Sequence, residues 1–281
     1  MVRTEIEKRL GSAQYFIIVS SLNYPMESFI ILKIGGNVID SLPQYETVLR
    51  EFALWEGHKI LVHGGGKIAG KLSEKLGITP NMVEGRRITD RETLDIVTMV
   101  YAGLINKNIV TTLQSHNCNA IGMTGADANL IPAVKRPVKD IDYGFVGDLN
   151  PNCISTDMLT MLVNAGLVPV MAPITHDQKG TLLNTNADTI ASSIAIALAK
   201  IFNVQLVFCF EKKGVLRNPD DEHSVIDHLD ENLYNQYKKE GIITVGMIPK
   251  LDNAFAALHC GVAAVRICNP DGLNKGTRII L

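Results

Sequence analysis

Two apolar stretches that each end in glycine constrain the fold more than any other feature of the chain. Residues 29–34 run into Gly35-Gly36-Asn37, and residues 60–62 run into His63-Gly64-Gly65-Gly66. Near-continuous apolar runs of this length are typical of strands buried on both faces of a parallel sheet. Between them lies a segment with apolar residues at helical spacing, closed by Gly57. The opening segment therefore predicts a βαβ unit with a right-handed crossover.

The rest of the chain keeps the same alternation of strand and helix patterns. Thr89 and Glu92 have the spacing of a capping box and predict the start of a long helix that runs to about Gln114. Residues 130–153, with several prolines and glycines, predict a hairpin or loop. We therefore expect an α/β fold, a three-layer αβα sandwich around a mostly parallel central sheet.

The composition argues against several classes of protein. Apolar residues make up 46% and charged residues 20% of the 281 residues, which supplies a sizeable core. The net charge is −2 without a basic block, so nucleic acid is not an expected partner. The five cysteines form no C-x-x-C pair, and we expect buried thiols in a reducing cytoplasm. No stretch predicts a membrane span.

Residues 1–25 precede the first convincing strand, which starts just after Met26. They contain a weak apolar stretch that follows mixed charges and lacks a clear cleavage site. This pattern disfavours a signal peptide. We expect residues 1–25 to be an extension or appendage, with Met26 as an alternative natural start.

Four turns are candidates for an anion site, because ligands of open α/β sheets bind beyond the carboxyl ends of the strands. They are residues 35–37, 64–66, 184–188 and 211–214. At a strand–glycine–helix junction, the first free N–H groups of the helix favour phosphate or carboxylate. The alternative for each is a tight turn without a ligand, so the turns alone leave the function open.

Charged residues near these turns narrow the choice. Lys33 lies in a strand predicted to be buried, where an ammonium group requires a nearby anion, unless it snorkels from an edge strand. Lys250 lies in the first turn of a predicted helix, where a cation is unfavourable without a counter-anion. Arg87 is a candidate clamp for a carboxylate, or else a surface salt-bridge residue. Asn184, Asn186 and Asp188 together exceed what an N-cap needs and favour a ligand or a lysine partner.

A near-match to the Walker A loop, residues 65–72, is interpreted as coincidence. Leu72 occupies the position of the magnesium-binding Ser or Thr, and the second half falls in a predicted helix. The histidines show no zinc-protease spacing, and no G-x-S-x-G motif is present.

Six short motifs appear in an order that resembles the amino-acid kinase family. They are Lys-Ile-Gly-Gly at 33–36, His-Gly-Gly-Gly at 63–66, Gly-Arg-Arg-Ile-Thr at 85–89, Asn-Thr-Asn-Ala-Asp at 184–188, Gly-Met-Ile-Pro-Lys at 246–250 and Gly-Thr-Arg-Ile at 276–279. Each motif is weak alone, but the ordered set is specific. The resemblance implies an N-terminal lobe, 26–200, for acylglutamate binding and dimerisation, and a C-terminal lobe, 201–281, for ATP.

The resemblance also implies a reaction. ATP, carrying Mg²⁺, would transfer its γ-phosphoryl group to the side-chain carboxylate of an N-acyl-L-glutamate in arginine biosynthesis. N-acetylglutamate is the expected acceptor, with N-succinylglutamate, glutamate, aspartate or carbamate as alternatives. A cytoplasmic homodimer insensitive to arginine is expected, rather than a hexamer. A different class, a sensing protein that binds arginine or a nucleotide without turnover, is disfavoured because Lys33, Asp188 and Lys250 are present.

Residue roles follow from the same resemblance. The catalytic set comprises Lys33, Asp188 and Lys250. Acceptor binding is assigned to Gly64, Gly65, Arg87, Asn184 and Asn186. Contacts to phosphate or nucleotide are assigned to Gly35, Gly36, Glu211, Gly214, Gly246 and Met247. No residue is assigned to a protein-bound metal.

Two segments depart from the family pattern. Phe210 and Glu211 stand where the family usually has a hydroxyl residue followed by Asp, which affects the expected hydrogen bonding to the nucleotide. Residues 122–127 lack the lysine that often precedes their aspartate. The acyl pocket is therefore a place where this chain can differ from its family.

Overall fold

The computed structural model describes residues 26–83, 86–218, 220–243 and 246–281. The expectations for residues 1–25, and Gly85 of the third motif, lie outside the described residues. The strands are β1 Ser28–Ile34, β2 His58–His63, β3 Met82–Val83, β4 Arg86–Arg87, β5 Ala120–Met123, β6 Ala133–Lys135, β7 Gly147–Leu149, β8 Val168–Met171, β9 Ile174–His176, β10 Leu182–Asn184, β11 Asn203–Cys209, β12 His228–Leu229, β13 Ala264–Cys268 and β14 Thr277–Ile279. The helices are α1 Gly36–Asp40, α2 Leu42–Leu54, α3 Gly66–Lys75, α4 Arg91–Ser115, α5 Thr156–Asn164, α6 Ala187–Leu198, α7 Glu231–Lys239 and α8 Ile248–His259.

The central sheet of the described chain has eight strands in the order β12-β14-β13-β11-β1-β2-β8-β5. Neighbouring strands are parallel throughout, except that β14 runs antiparallel to β13. Strand β1 lies between β11 and β2, and Lys33 pairs in register with Phe208 on one side and Val62 on the other. The mostly parallel sheet is as predicted.

Among the described residues, two hydrophobic clusters, one on each face of the sheet, complete the three layers. Phe29 and Ile31 of β1 belong to the cluster that contains α5, α6, α7 and α8. Leu32 and Ile34 belong to the opposite cluster, with α2 and α4. Side chains alternate along a strand, so Lys33 points to the same face as Ile31, the face covered by α6. The predicted αβα sandwich is confirmed.

The N-terminus of α4 differs from the prediction by one residue. Asp90, rather than Thr89, is the N-cap, and its Oδ1 accepts the N–H of Thr93 at 2.8 Å. Thr89 is fully buried and pairs through its backbone with Tyr143 and Phe145, so it is not free to cap a helix. Helix α4 includes a π-helical segment, Met99–Ile105, which no sequence pattern had indicated.

Helix α4 is long and apolar enough to cross a membrane by length and composition alone, although the sequence predicted no span. Its residues Ile109 and Leu113 are completely buried in the hydrophobic cluster that also contains Leu32 and Ile34. A core helix of a globular domain passes the same test, so this observation is weak support for a membrane span.

The segment 184–188 was predicted to follow a strand of the main sheet, and this is wrong. Asn184 ends β10, which pairs with β9 in a separate two-stranded antiparallel hairpin rather than with a strand of the main sheet. Strand β10 is three residues long and only one of its residues is fully buried. Its apolar pattern is therefore too short to distinguish a hairpin strand from a strand of the sheet.

Replacing the N-cap of α4 is expected to destabilise the protein. Asp90→Ala should lower the free energy of unfolding by about 1 kcal/mol, because the Thr93 N–H loses its acceptor. Asp90→Asn should cost only a few tenths of a kcal/mol, because the amide oxygen also caps. Urea unfolding of both variants checks this, and an equal loss in the two would mean that charge rather than capping stabilises the helix.

Candidate active site

The carboxyl ends of β1 and β2 bring the two glycine turns into contact. The Gly35 N–H donates to Cys209 O at 2.9 Å, and the Gly64 N–H donates to Ile34 O at 3.0 Å. A Cβ at Gly36 would lie 3.8 Å from the nitrogen of Gly65 and 3.9 Å from that of Gly66. The backbone nitrogens of Gly65 and Gly66 therefore lie close to Gly36, and Gly36 and Gly66 are also the first residues of α1 and α3.

Lys33, Asp188 and Lys250 form an ion-paired chain that begins on β1, three residues before Gly36. Lys33 Nζ lies 2.7 Å from Asp188 Oδ1, and Lys250 Nζ lies 3.9 Å from Asp188 Oδ2. The side chains of Lys33 and Asp188 are only 10% and 14% exposed. Asp188 sits in the first turn of α6, where the helix dipole favours a carboxylate. The anion that Lys33 faces, as the sequence predicted, is the carboxylate of Asp188.

Asp188 is a carboxylate at neutral pH despite its burial. Burial acts to raise the pKa of Asp188, but the ammonium groups of Lys33 and Lys250 outweigh it and hold that pKa below its usual value. The ammonium group of Lys33 is in direct contact with Asp188 Oδ1, as a charged pair. One negative charge between two cations leaves a net positive site.

A cavity of about 680 Å³ opens next to this chain of charges. Its wall includes eight of the residues assigned from the sequence, which come from four separate segments of the chain. They are Lys33, Gly36, Gly64, Gly65, Arg87, Asn184, Asn186 and Asp188. The further lining cations Lys67, Lys71, Arg86 and Arg136 outnumber the further lining carboxylates Glu74 and Asp148. A cavity with this charge balance suits an anionic ligand.

The three polar residues predicted to bind the acceptor have protein partners. Arg87 Nη2 donates to Gly66 O at 2.9 Å and so supports the glycine turn. Asn184 Nδ2 donates to Thr89 Oγ1 at 3.0 Å. Asn186 is the N-cap of α6, with its Oδ1 accepting the Thr189 N–H at 3.0 Å. Their contacts to a ligand stay predictions.

Five residues assigned to phosphate or nucleotide lie outside the cavity wall. Glu211 is exposed in the loop after β11, and Gly246 and Met247 precede α8. Gly214 is buried, and a Cβ there would lie 2.7 Å from Thr277 Oγ1, so it is tightly packed. Gly35 is buried and uses its N–H within the sheet. These assignments also stay predictions; Lys250 is linked to the cavity through Asp188.

Several site residues were missed by sequence reasoning. Thr89 Oγ1 donates to Arg87 O at 3.1 Å while it accepts from Asn184, so it joins two predicted acceptor residues. Arg136 Nε lies 3.0 Å from Asp148 Oδ1 across the β6–β7 hairpin. Opposite charges on a hairpin are a usable signal only when the register is known, and here residues 136–146 separate the two strands.

No metal centre is formed by the protein side chains that the structure describes. In that part of the chain, no three His, Cys, Asp or Glu residues are close enough together to hold an ion.

Comparison with known proteins gives consistent similarities. The model of the amino acid kinase family matches residues 28–269. Acetylglutamate kinase of Cytophaga hutchinsonii is 55% identical over 249 residues, which cover 88% of this chain and 94% of that protein. Acetylglutamate kinase of Phocaeicola vulgatus is 52% identical over 255 residues, 91% of this chain and 98% of that protein. The crystal structure of smu.665 from Streptococcus mutans UA159 is 26% identical, with a TM-score of 0.73 over 89% of this chain and 98% of that one.

Any side chain at Gly65 is expected to disturb the site. A Cβ there would clash with Ile105 Cδ1 and lie 3.0 Å from the Tyr101 ring, so Gly65→Ala should cost about 1–3 kcal/mol of unfolding free energy. Ile105→Val removes Cδ1, so the double variant should be less destabilised than the sum of the single variants.

Chemical denaturation of the wild type, the two single variants and the double variant measures this coupling. Gly103→Ala is the control, because a Cβ at that exposed helical glycine meets nothing within 4 Å. Strict additivity of Gly65→Ala and Ile105→Val would show that the clash does not govern the choice of glycine.

Proposed function

This chain belongs to the amino acid kinase family, and we propose that it uses ATP to phosphorylate the side-chain carboxylate of N-acetyl-L-glutamate, in arginine biosynthesis. Relatives that are 52–55% identical over about nine-tenths of the chain are acetylglutamate kinases. The single observation that carries the proposal is the Lys33–Asp188–Lys250 chain at the edge of a cation-rich cavity.

The reaction joins two anions. A carboxylate oxygen of the acceptor attacks the γ-phosphorus, the bond from that phosphorus to the bridging oxygen of ADP breaks, and an acyl phosphate and ADP result. The acceptor carboxyl is ionised at neutral pH, so no general base is required. Catalysis then consists of in-line positioning and charge stabilisation.

Lys33 and the glycine amides stabilise the transferred phosphoryl group in this proposal. Lys33 lies at the carboxyl end of β1 and lines the same cavity as Gly36 and Gly65. Lys250 stabilises the nucleotide phosphates on the leaving side. Asp188 contacts both lysines and orients them without neutralising the site. Mg²⁺ arrives with ATP as part of the substrate.

The acceptor occupies the cavity on the side of Arg87. Gly64 and Gly65 hold its reacting carboxylate, while Arg87, Asn184 and Asn186 hold the rest of the molecule. Arg87 and Asn184 are joined through Thr89, so the two act as one surface. The proposal also includes a cytoplasmic location and two lobes, 26–200 and 201–281. The nucleotide contacts that it includes are those of Gly35, Glu211, Gly214, Gly246 and Met247.

The acceptor is identified by direct comparison. ADP release and hydroxamate formation from the acyl phosphate should be highest with N-acetylglutamate, tested beside N-succinylglutamate, glutamate, aspartate and carbamate. A higher kcat/KM for another acceptor would reassign the substrate. Absence of turnover with every acylglutamate would favour a binding protein.

Loss of the buried ammonium group should impair the chemical step. Lys33→Ala is expected to lower kcat by about 10²–10³-fold, the usual effect of removing one preorganised charge donor. Steady-state kinetics with ATP and N-acetylglutamate measure it. Lys239→Ala, an exposed lysine at the end of α7, is the control and should leave kcat within about threefold. Equal losses in both variants would remove Lys33 from the mechanism.

A homodimer is part of the proposal, supported by the outer face of α4. Met99 and Leu104 of this helix are 56% and 52% exposed, which leaves apolar surface for a second copy to cover. Sedimentation should give twice the chain mass, and Leu104→Arg should shift it toward the monomer. Leu54→Arg, at an exposed leucine of α2, is the control. A hexamer inhibited by arginine would contradict the proposal.

A further inference from the structure

His63 belongs to the triple-glycine motif, yet the proposed reaction gives it no role. Its side chain is completely buried at the end of β2. The ring nitrogen Nδ1 lies 2.8 Å from the carbonyl oxygen of Gly64, and Nε2 lies 3.3 Å from Asn106 Nδ2. Both ring nitrogens are therefore engaged, one with the glycine turn and the other with α4.

The neighbours of Asn106 fix which way its amide points. Its Nδ2 donates to Val170 O at 2.9 Å, and its Oδ1 accepts from Lys107 Nζ at 3.3 Å. The group that faces His63 is therefore the NH₂, which can only donate. His63 Nε2 must accept, and the proton of the neutral ring must be on Nδ1, where it is donated to Gly64 O.

Both contacts require the same neutral tautomer of His63. Burial lowers the pKa of His63 to about 4, against a smaller opposing effect of the bond to Gly64, so the ring is neutral at physiological pH. The ring thus donates to Gly64 O through a defined nitrogen and has no net charge near the phosphoryl site.

The bond to the Gly64 carbonyl determines where the next N–H points. The peptide between Gly64 and Gly65 is trans and planar, so its C=O and N–H point in opposite directions. His63 holds the carbonyl on its buried side, and the Gly65 N–H faces away from it. Within the described part of the chain, the Gly65 N–H has no acceptor, and Gly65 lines the cavity.

We propose that His63 is a positioning residue for phosphoryl transfer, which holds the Gly64–Gly65 peptide so that the Gly65 N–H faces the transferred group. Asn106 keeps the ring in the tautomer that can do so. This inference rests on the proposed function. Two successive glycines give the peptide unusual freedom, and a flipped peptide would turn the Gly64 carbonyl oxygen toward an anion.

The π-helical segment of α4 supports this arrangement. Tyr101 and Ile105 of that segment pack against Gly65, and Asn106 follows it directly. The extra residue in a π turn changes the direction of the side chains that follow, and such turns are frequent at functional sites. Here the same turn packs against Gly65 and brings Asn106 to His63.

Substitution of His63 by Asn or by Gln distinguishes the role of the Nδ1 donor from that of the rest of the ring. The side-chain nitrogen of Asn can approach the position of Nδ1, whereas that of Gln reaches the position of Nε2. His63→Asn is therefore expected to lower kcat by no more than about threefold. His63→Gln should lower kcat by about 10–100-fold with both KM values within about threefold, because a transition-state donor is misdirected.

The comparison of the two variants decides the proposal. Equal loss of kcat in His63→Asn and His63→Gln, or a change confined to KM, would overturn it. Thermal unfolding and MgADP binding of each variant identify one that is merely misfolded. Wild-type turnover of N-acetylglutamate is measured first, so that failure of the proposed function is recognised separately.

The tautomer of His63 can be measured directly, without any assay of turnover. In ¹⁵N NMR of the wild-type protein, the two ring nitrogens of His63 should show the Nδ1–H tautomer. Asn106→Leu should produce a mixture of tautomers and a fall in kcat of about 3–10-fold. An Nε2–H tautomer in the wild type would overturn the proposal, whatever the activity of the variants.

Discussion

The ion pair between Lys33 and Asp188 is the interaction on which the rest of the site depends. An ammonium group in the central strand of a sheet is costly without a counter-ion, and Asp188 supplies one at 2.7 Å. The pair joins β1 to the first turn of α6, and the second oxygen of Asp188 joins it to Lys250 of α8. One carboxylate thus connects three elements and fixes the distance between two cations. A site that joins two anions needs two cations close together. With one carboxylate between them the site keeps a net positive charge, which a second carboxylate would cancel.

Fixed backbone donors extend this positive site. Gly36 and Gly66 begin helices, and Gly36 lies close to the backbone nitrogens of Gly65 and Gly66 because β1 and β2 are adjacent and parallel. Backbone donors need no rearrangement during the reaction if their peptides are held in place. The glycines allow the close approach, while Arg87 supports the turn from the cavity side and His63 from the buried side.

The sequence predicted the features that depend on neighbours along the chain. The βαβ unit, the burial of Lys33 and the two glycine turns follow from runs of a few residues. Features that depend on distant partners were missed. The hydroxyl of Thr89 meets Asn184, 95 residues later, and was interpreted as a helix cap because local spacing was the only information. His63 meets Asn106, 43 residues later, through a π-helical segment that has no sequence signature.

Short motifs and contacts between distant residues determine different properties of the site. Short motifs supply the chemical groups, such as Lys33, the glycine amides and Asp188. The direction of those groups is determined by side chains outside the cavity, because a glycine peptide has no side chain of its own to restrict it. Thr89 and His63 are both completely buried, and each contacts a backbone carbonyl of a residue that lines the cavity, Arg87 and Gly64. A chain could therefore keep every glycine of the motif and still lose the reaction, if the residues that orient those peptides were replaced.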